Sequence, residues 1–420
     1  MKPELRTGVA GRLDSLSMPE SPLLNVRPRV ESVDLLRGAV MVLMALDHAR
    51  DFFSDTAFTF DPSDLTKTTP ALFLTRWVTH FCAPVFVFLA GTSAHLWQSR
   101  GRTKTELSRF LLTRGLFLVL LDPTVIRFSW FWDLNWRFTF GQVIWAIGWS
   151  MIVLAGLIHL PRWFVGVFAV GMIAAHNLLD GYSPPKDTAW GMAWRVLHVR
   201  NLIEPWEGFR FWVMYPLIPW VGVLAAGYAL GPMLAPQNGA TRGDLTSFAG
   251  QSNSRRMLAV GILLCVAFVV LRWTNVYGDP RPWEPQKNAL FSLFSFLNCE
   301  KYPPSLLFLL MTLGPAIAAL VAFDRPLGPI GRWFAVFGRV PMFYYLIHAP
   351  IIHLLSGLAI FPRYGVNSFV FDPMNPPADY GFSLPVVYAV WIGVVIGLYF
   401  PCRWYAGLKQ RRRDWWLSYL

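Results

Sequence analysis

Long apolar runs separated by short polar stretches dominate this sequence. A membrane crossing takes about 20 mainly apolar residues at a rise of 1.5 Å each. Ten runs of that order can be marked: Asp34 to Phe53, Ala71 to Trp97, Leu107 to Ile126, Phe138 to Leu160, Trp163 to Leu179, Phe209 to Leu234, Met257 to Trp273, Pro304 to Phe323, Gly338 to Phe361 and Phe382 to Arg403. They predict an all-α fold, a polytopic transmembrane helical bundle of about ten spans. The membrane domain is expected over residues 31–405, with a poorly ordered N-terminal tail over 1–30 and a basic C-terminal tail over 406–420.

Basic residues gather at some ends of these runs and acidic ones at others. Lys2, Arg6, Arg12, Arg27, Arg29 and Arg37 flank the first run, Arg100, Arg102, Lys104, Arg109 and Arg114 follow the second, and Lys409 with Arg411 to Arg413 follow the last. Asp55, Asp61, Asp64, Glu204, Glu207, Asp279, Glu284 and Glu300 lie at the opposite ends. Cytoplasmic flanks retain lysine and arginine, so an even number of spans with both termini cytoplasmic fits the pattern.

Composition supports a bilayer environment. The chain is 54% hydrophobic and 15% charged, against about 25% charged in soluble domains. The net charge of +12 sits at the membrane edges without a nucleic-acid-binding motif, so the lipid bilayer is an expected partner and nucleic acid is not. Cys82, Cys265, Cys299 and Cys402 form no CxxC pair and no metal-ligand spacing with histidine, and no metal is expected. Residues 1–30 hold no apolar core of the kind a cleavable signal peptide needs.

Charged and polar residues inside the runs are the candidates for chemistry, since each costs about 2.5–3.5 kcal/mol to insert. Arg37, Met41, Met44, His48, Asp51 and Asp55 repeat at steps of three and four and share one face of the first run. By helical rise His48 stands about 21 Å above the cytoplasmic edge and His80 about 13 Å below the outer one, so the two imidazoles are expected to meet at similar depth. His348 on the ninth run, one turn after Tyr344 and Tyr345, is a third candidate proton-transfer group. Asp47 and Asp51 are candidates to orient an imidazole. Hydrogen bonding between helices is the plainer reading of any such histidine and is the one given to His95, His159 and His176. Arg37, Arg100, Arg102 and Lys104 would suit the phosphates of a nucleotide-bearing donor, although retention on the cytoplasmic side explains such a cluster too.

The stretches RVESVDLLRGAVMVLMALDHARDFF and HFCAPVFVFLAGTSAHLW resemble the catalytic domain of heparan-α-glucosaminide N-acetyltransferase and its bacterial relatives. GQVIWAIGWSMI, MYPLIPWVGVLAAGYALG, KYPPSLLFLLMTLGP and FGRVPMFYYLIHAPIIHLL resemble the bacterial branch, and Ser32, Asp34, Arg37 and Gly38 carry its most recognisable short motif. The resemblance implies a membrane-embedded acyltransferase that takes an acyl group, acetyl above all, from cytosolic acyl-CoA as co-substrate to an amine or hydroxyl of an extracytoplasmic glycan. A multi-pass protein of a bacterial inner membrane follows from it, with a homodimer left open. The eukaryotic enzymes use a histidine of the first luminal loop. The corresponding loop here, Ser54 to Pro70, has none, so His48 or His80 is the nearest substitute. The alternative is a multi-span transporter or flippase with an intramembrane polar stripe and no acyl-transfer activity.

Overall fold

The computed structural model describes residues 30–57, 59–235, 250–369, 379–412 and 414–419. Apart from Val30, the tail expected over 1–30 lies outside the described residues, as do residues 370–378 of the loop expected after the ninth run. The described helices are α1 (Glu31–Phe53), α2 (Pro70–Thr79), α3 (Cys82–Gln98), α4 (Lys104–Leu121), α5 (Arg127–Phe131), α6 (Val143–Leu157), α7 (Arg162–Ala175), α8 (Ala189–His198), α9 (Leu217–Leu230), α10 (Gly250–Thr274), α11 (Ala289–Leu297), α12 (Leu306–Ala322), α13 (Pro329–Arg339), α14 (Pro341–Tyr364) and α15 (Leu384–Arg411). Among the described residues, five helical segments are long and apolar enough to cross a membrane: Pro70–Gln98, Arg162–Leu179, Ser252–Thr274, Pro341–Phe369 and Leu384–Arg411. Val143–Leu157, Leu217–Met233 and Leu306–Ala322 are apolar but shorter. The 23-residue α1 has the length, yet carries Arg37, Asp47, Arg50 and Asp51 within it.

The chain departs from the expected all-α fold in a three-stranded sheet. β1 (Phe138–Gly141) pairs in parallel with β3 (Phe209–Val213), and β2 (Asn201–Trp206) pairs antiparallel with β3. β1 and β3 occupy the first residues of two runs that periodicity assigned to helix. Their aromatic and β-branched residues favour extended backbone where two chain segments enter the bundle side by side. α6 and α9 follow them directly. The basic tail expected from residue 406 is instead helical as far as Arg411, where α15 ends.

The second apolar run is broken. α2 stops at Thr79 and α3 starts at Cys82, because Pro84 has no N–H to give the His80 carbonyl four residues back, and its ring would collide with it. α13 and the short helices α8 and α11 are elements that the apolar runs did not foretell; α13 turns one face to α1 and α15.

α1 occupies the centre, packed by α2, α3 and α12 to α15. Its crossing with α13 is a glycine contact. A Cβ on Gly38 would lie 1.9 Å from the Phe334 carbonyl oxygen, and one on Gly338 would lie 1.8 Å from that of Asp34. α3 and α9 meet in the same way at Gly91 and Gly227, at 1.9 Å and 2.0 Å from backbone oxygens. Within a bilayer, where apolar lipid gives helices little hydrophobic reason to associate, such close approach supplies van der Waals contact.

Gly38→Ala and Gly338→Ala are expected to lower the thermal unfolding midpoint of the detergent-solubilised protein, each costing about 3 kcal/mol or more. Gly393→Ala, on an α15 position with nothing within 4 Å of the added carbon, should leave it unchanged.

Candidate functional site

The arrangement begins with α1, whose polar face runs from Arg37 at one end to Asp51 at the other. Toward the Asp51 end, His48 Nδ1 lies 2.7 Å from His348 Nε2 of α14, with the rings stacked at 4.8 Å. His348 Nδ1 lies 2.9 Å from the Tyr344 carbonyl oxygen. That oxygen can only accept, so His348 Nδ1 carries the proton and Nε2 is the acceptor of the neutral ring. His48 Nδ1–H therefore donates to His348, and His48 Nε2 keeps the lone pair. One backbone carbonyl thus assigns the tautomers of both rings. Trp130 meets His48 edge-on at 5.0 Å and Tyr345 lies at 6.4 Å, closing the pair in aromatic walls.

This geometry corrects the pairing expected from depth. His80 sits at the α2–α3 break with its ring 5.3 Å from Phe308 and its Nδ1 unpartnered, and neither a hydrogen bond nor a ring contact joins it to His48. Depth along a helix does not fix azimuth: His80 at the end of α2 meets Phe308, while it is His348 of α14 that reaches the His48 ring. Nor does a carboxylate orient the imidazoles: Asp47 and Asp51 are engaged by cations.

Asp47, the residue before His48, is the centre of a second cluster at the same end of α1. Arg76 Nη1 donates to both its oxygens at 2.8 and 3.0 Å, Arg50 Nη2 to Oδ1 at 2.9 Å and Thr79 Oγ1 to Oδ1 at 3.0 Å. Lys301 Nζ stands 4.0 Å from Oδ2. Arg50 also donates to Asp51 at 2.6 Å. Three cations thus face two carboxylates. Lys301 is carried there by a braced loop: the buried Arg272 donates to the carbonyls of Phe296, Arg281, Ser295 and Asn298, while Asp279 accepts from Ser305 Oγ and the Glu300 N–H. The phenol of Tyr302, which lies 4.7 Å from the Arg200 guanidinium, feels burial pushing its pKa up, but Lys301, Arg76 and Arg200 outweigh it and hold it below the usual range.

At the opposite end of α1 lies a cavity of about 340 Å³. Arg37, Arg100, Arg114, Arg339 and Lys409 line it with a single carboxylate, Asp34, alongside apolar side chains of α3, α4 and α6. Arg37 is held by Ser93 Oγ at 2.7 Å and by the Gly338 carbonyl at 3.2 Å. Of the four expected phosphate-binding residues, Arg37 and Arg100 line this cavity. Arg102 is half exposed, pairs with Glu106 at 3.0 Å and lies over Trp97, and Lys104 donates to the His159 carbonyl at 3.3 Å; neither lines it. Lys409 was read from sequence only as a span flank, and Arg339, the second residue of the ninth run, was not singled out. Arg76 was overlooked there, although a cation inside an apolar run one turn before His80 is itself a signal.

Taken upward from these residues, the site has three parts: at one end of α1 a cationic cavity suited to phosphates, and toward the other, side by side, a tautomer-locked imidazole pair suited to proton transfer and a charge cluster centred on Asp47. A family model described as heparan-alpha-glucosaminide N-acetyltransferase, catalytic, matches residues 29–275. His348, Lys301, Arg339 and Lys409 all lie beyond that stretch, so the matched part and the later helices complete the three parts of the site together. No curated protein matches the chain.

Asp47→Asn would leave Arg50, Arg76 and Lys301 facing Asp51 alone. Removing one partner of a buried ion pair costs roughly 3–5 kcal/mol, and a correspondingly lower unfolding midpoint is expected. An unchanged midpoint would mean that water, not Asp47, balances these cations.

Proposed function

The chain belongs to the heparan-alpha-glucosaminide N-acetyltransferase catalytic family and is a multi-pass membrane protein, and from that premise we propose that it moves an acyl group from acyl-CoA to an amine or hydroxyl, with His48 as general base. The observation that carries this reading is the 2.7 Å contact between His48 and His348. It leaves a lone pair on His48 Nε2, oriented by a neutral neighbour whose own tautomer is fixed by the Tyr344 carbonyl.

The other two parts of the site fall into place around that base. The cationic cavity holds the donor: Arg37, Arg100, Arg114, Arg339 and Lys409 meet its phosphates, and the apolar wall suits its pantetheine arm. With about ten crossings and both termini cytoplasmic, this cavity opens to the cytosol, as a CoA thioester requires. The acceptor arrives from the Lys301 end, and an envelope glycan of a bacterial inner membrane fits that placement. Arg37 and His48 are eleven residues apart, about 16 Å along the helix, so the thioester reaches toward the imidazoles while its phosphates stay at the basic end.

In the reaction, the acceptor nitrogen or oxygen attacks the thioester carbonyl carbon as His48 Nε2 takes its proton. The carbon–sulfur bond breaks, and the departing thiolate recovers the proton as free CoA. His348 acts through His48, holding the ring and accepting its Nδ1–H as positive charge develops.

Purified full-length protein supplied with acetyl-CoA and a pool of amine and hydroxyl sugars is expected to release CoA thiol. His48→Gln and His348→Gln should cut that release by about 10²- to 10⁴-fold while donor binding, followed by equilibrium dialysis, stays within a few-fold. Arg339→Gln and Lys409→Gln should instead raise KM for acetyl-CoA, by about tenfold each, at nearly constant kcat. Absence of both donor binding and donor turnover in the wild-type protein would overturn the reading.

A further inference from the structure

Beyond the site built around α1, the molecule gathers a second set of side chains with a chemistry of its own. His176, directly after α7, Asp180, four residues later, and His198, at the end of α8, each offer a ligand atom, and these atoms all lie within 4.8 Å of one another. The sequence reading placed no metal anywhere and treated His176 as a helix-packing residue.

Two observations separate this cluster from an ordinary polar contact. His176 is 2% exposed, and neither of its ring nitrogens makes a hydrogen bond of good geometry, the Pro304 backbone being the one polar group that acts on the ring from nearby outside the cluster. A buried imidazole so incompletely partnered costs about 1–3 kcal/mol. The other two residues are already arranged. Asp180 Oδ2 accepts from the Asn177 side-chain amide at 2.9 Å, which leaves Oδ1 turned toward His198 Nε2 at 3.6 Å. The His198 ring is stacked on Trp194 at 5.2 Å. Orientation of the ligands by neighbours outside the coordination sphere is characteristic of metal sites.

We propose that His176, Asp180 and His198 bind a divalent transition-metal ion, Zn²⁺ by their donor chemistry. Two imidazoles and a carboxylate are zinc ligands, and three protein donors leave the fourth tetrahedral position to water. Without metal, His198 Nε2–H donates to the His176 carbonyl at 3.0 Å. Binding through that nitrogen moves the proton of the neutral ring to Nδ1, so the hydrogen bond is exchanged for a coordinate bond and no redox partner is needed.

The ion would tie the end of α8 to the end of α7. Between His176 and Asp180, Asn177 Oδ1 accepts the Leu306 N–H at the first turn of α12, five residues after Lys301. Occupancy therefore also braces the stretch that carries Lys301 to Asp47, while the acyl-transfer reading stands or falls without it.

The test uses the full-length detergent-solubilised protein, freed of any histidine tag and stripped with a chelator, and Zn²⁺ alone as the probe. About one equivalent is expected to bind saturably, and Co²⁺ in its place should give the intense visible bands of a tetrahedral site. His176→Gln, His198→Gln and Asp180→Asn should each weaken binding by about 100-fold or more. Asp180 is exposed, so its variant keeps the test valid should a buried histidine variant fail to fold. No saturable binding by the wild-type chain, or one equivalent bound equally well by all three variants, would overturn the proposal.

Discussion

The Asp47 carboxylate sets the terms on which α1 can stand at the centre of this bundle. A helix that brings two carboxylates and an arginine into an apolar surround must find counter-charges there, because an isolated buried charge costs several kcal/mol even after relaxation. Arg76 from α2 and Lys301 from the loop before α12 supply them, and each is delivered by an element that the charge then fixes in place. The break in the second apolar run and the braced loop around Arg272 follow the same logic. Both are departures from a plain helix that bring a cation to one point.

Parts of this were legible in the sequence, and the rest was hidden for identifiable reasons. Helices in the ten apolar runs could be read because periodicity and length report burial along a single segment. The strand at Phe138–Gly141 could not, since it forms only by pairing with Phe209–Val213 some 70 residues away, and the hairpin of that strand with Asn201–Trp206 lay partly inside an apolar run read as helix. His48 stood out as an ionisable group in an apolar run. Its partner did not, because depth along a helix says nothing about azimuth, and His348 lies 300 residues further on. Lys409 looked like a flank because a flank and a cavity wall share the same sequence signature, and Arg339 at the start of the ninth run went unnoticed for the same reason.

Electrostatic character differs between the two ends of α1. Its first turns border a cavity lined, among the described residues, by five cations and one carboxylate. Toward its other end the stacked rings of His48 and His348 stand beside the dense charge cluster of the neighbouring Asp47. In the proposed reaction the basic end attracts the anionic donor, and proton transfer takes place at the other, about 16 Å away along the helix.

The glycine crossings limit how such a bundle can breathe. Where backbones touch with no side chain between them, as at Gly38 against Phe334 and Gly338 against Asp34, a one-turn slip of about 5.4 Å would drive a bulky residue into a groove shaped for hydrogen. α1 with α13, and α3 with α9, are therefore interlocked couples that travel as single bodies. Any gating between the two membrane faces must come from the seams between such couples, never from one helix sliding along its mate.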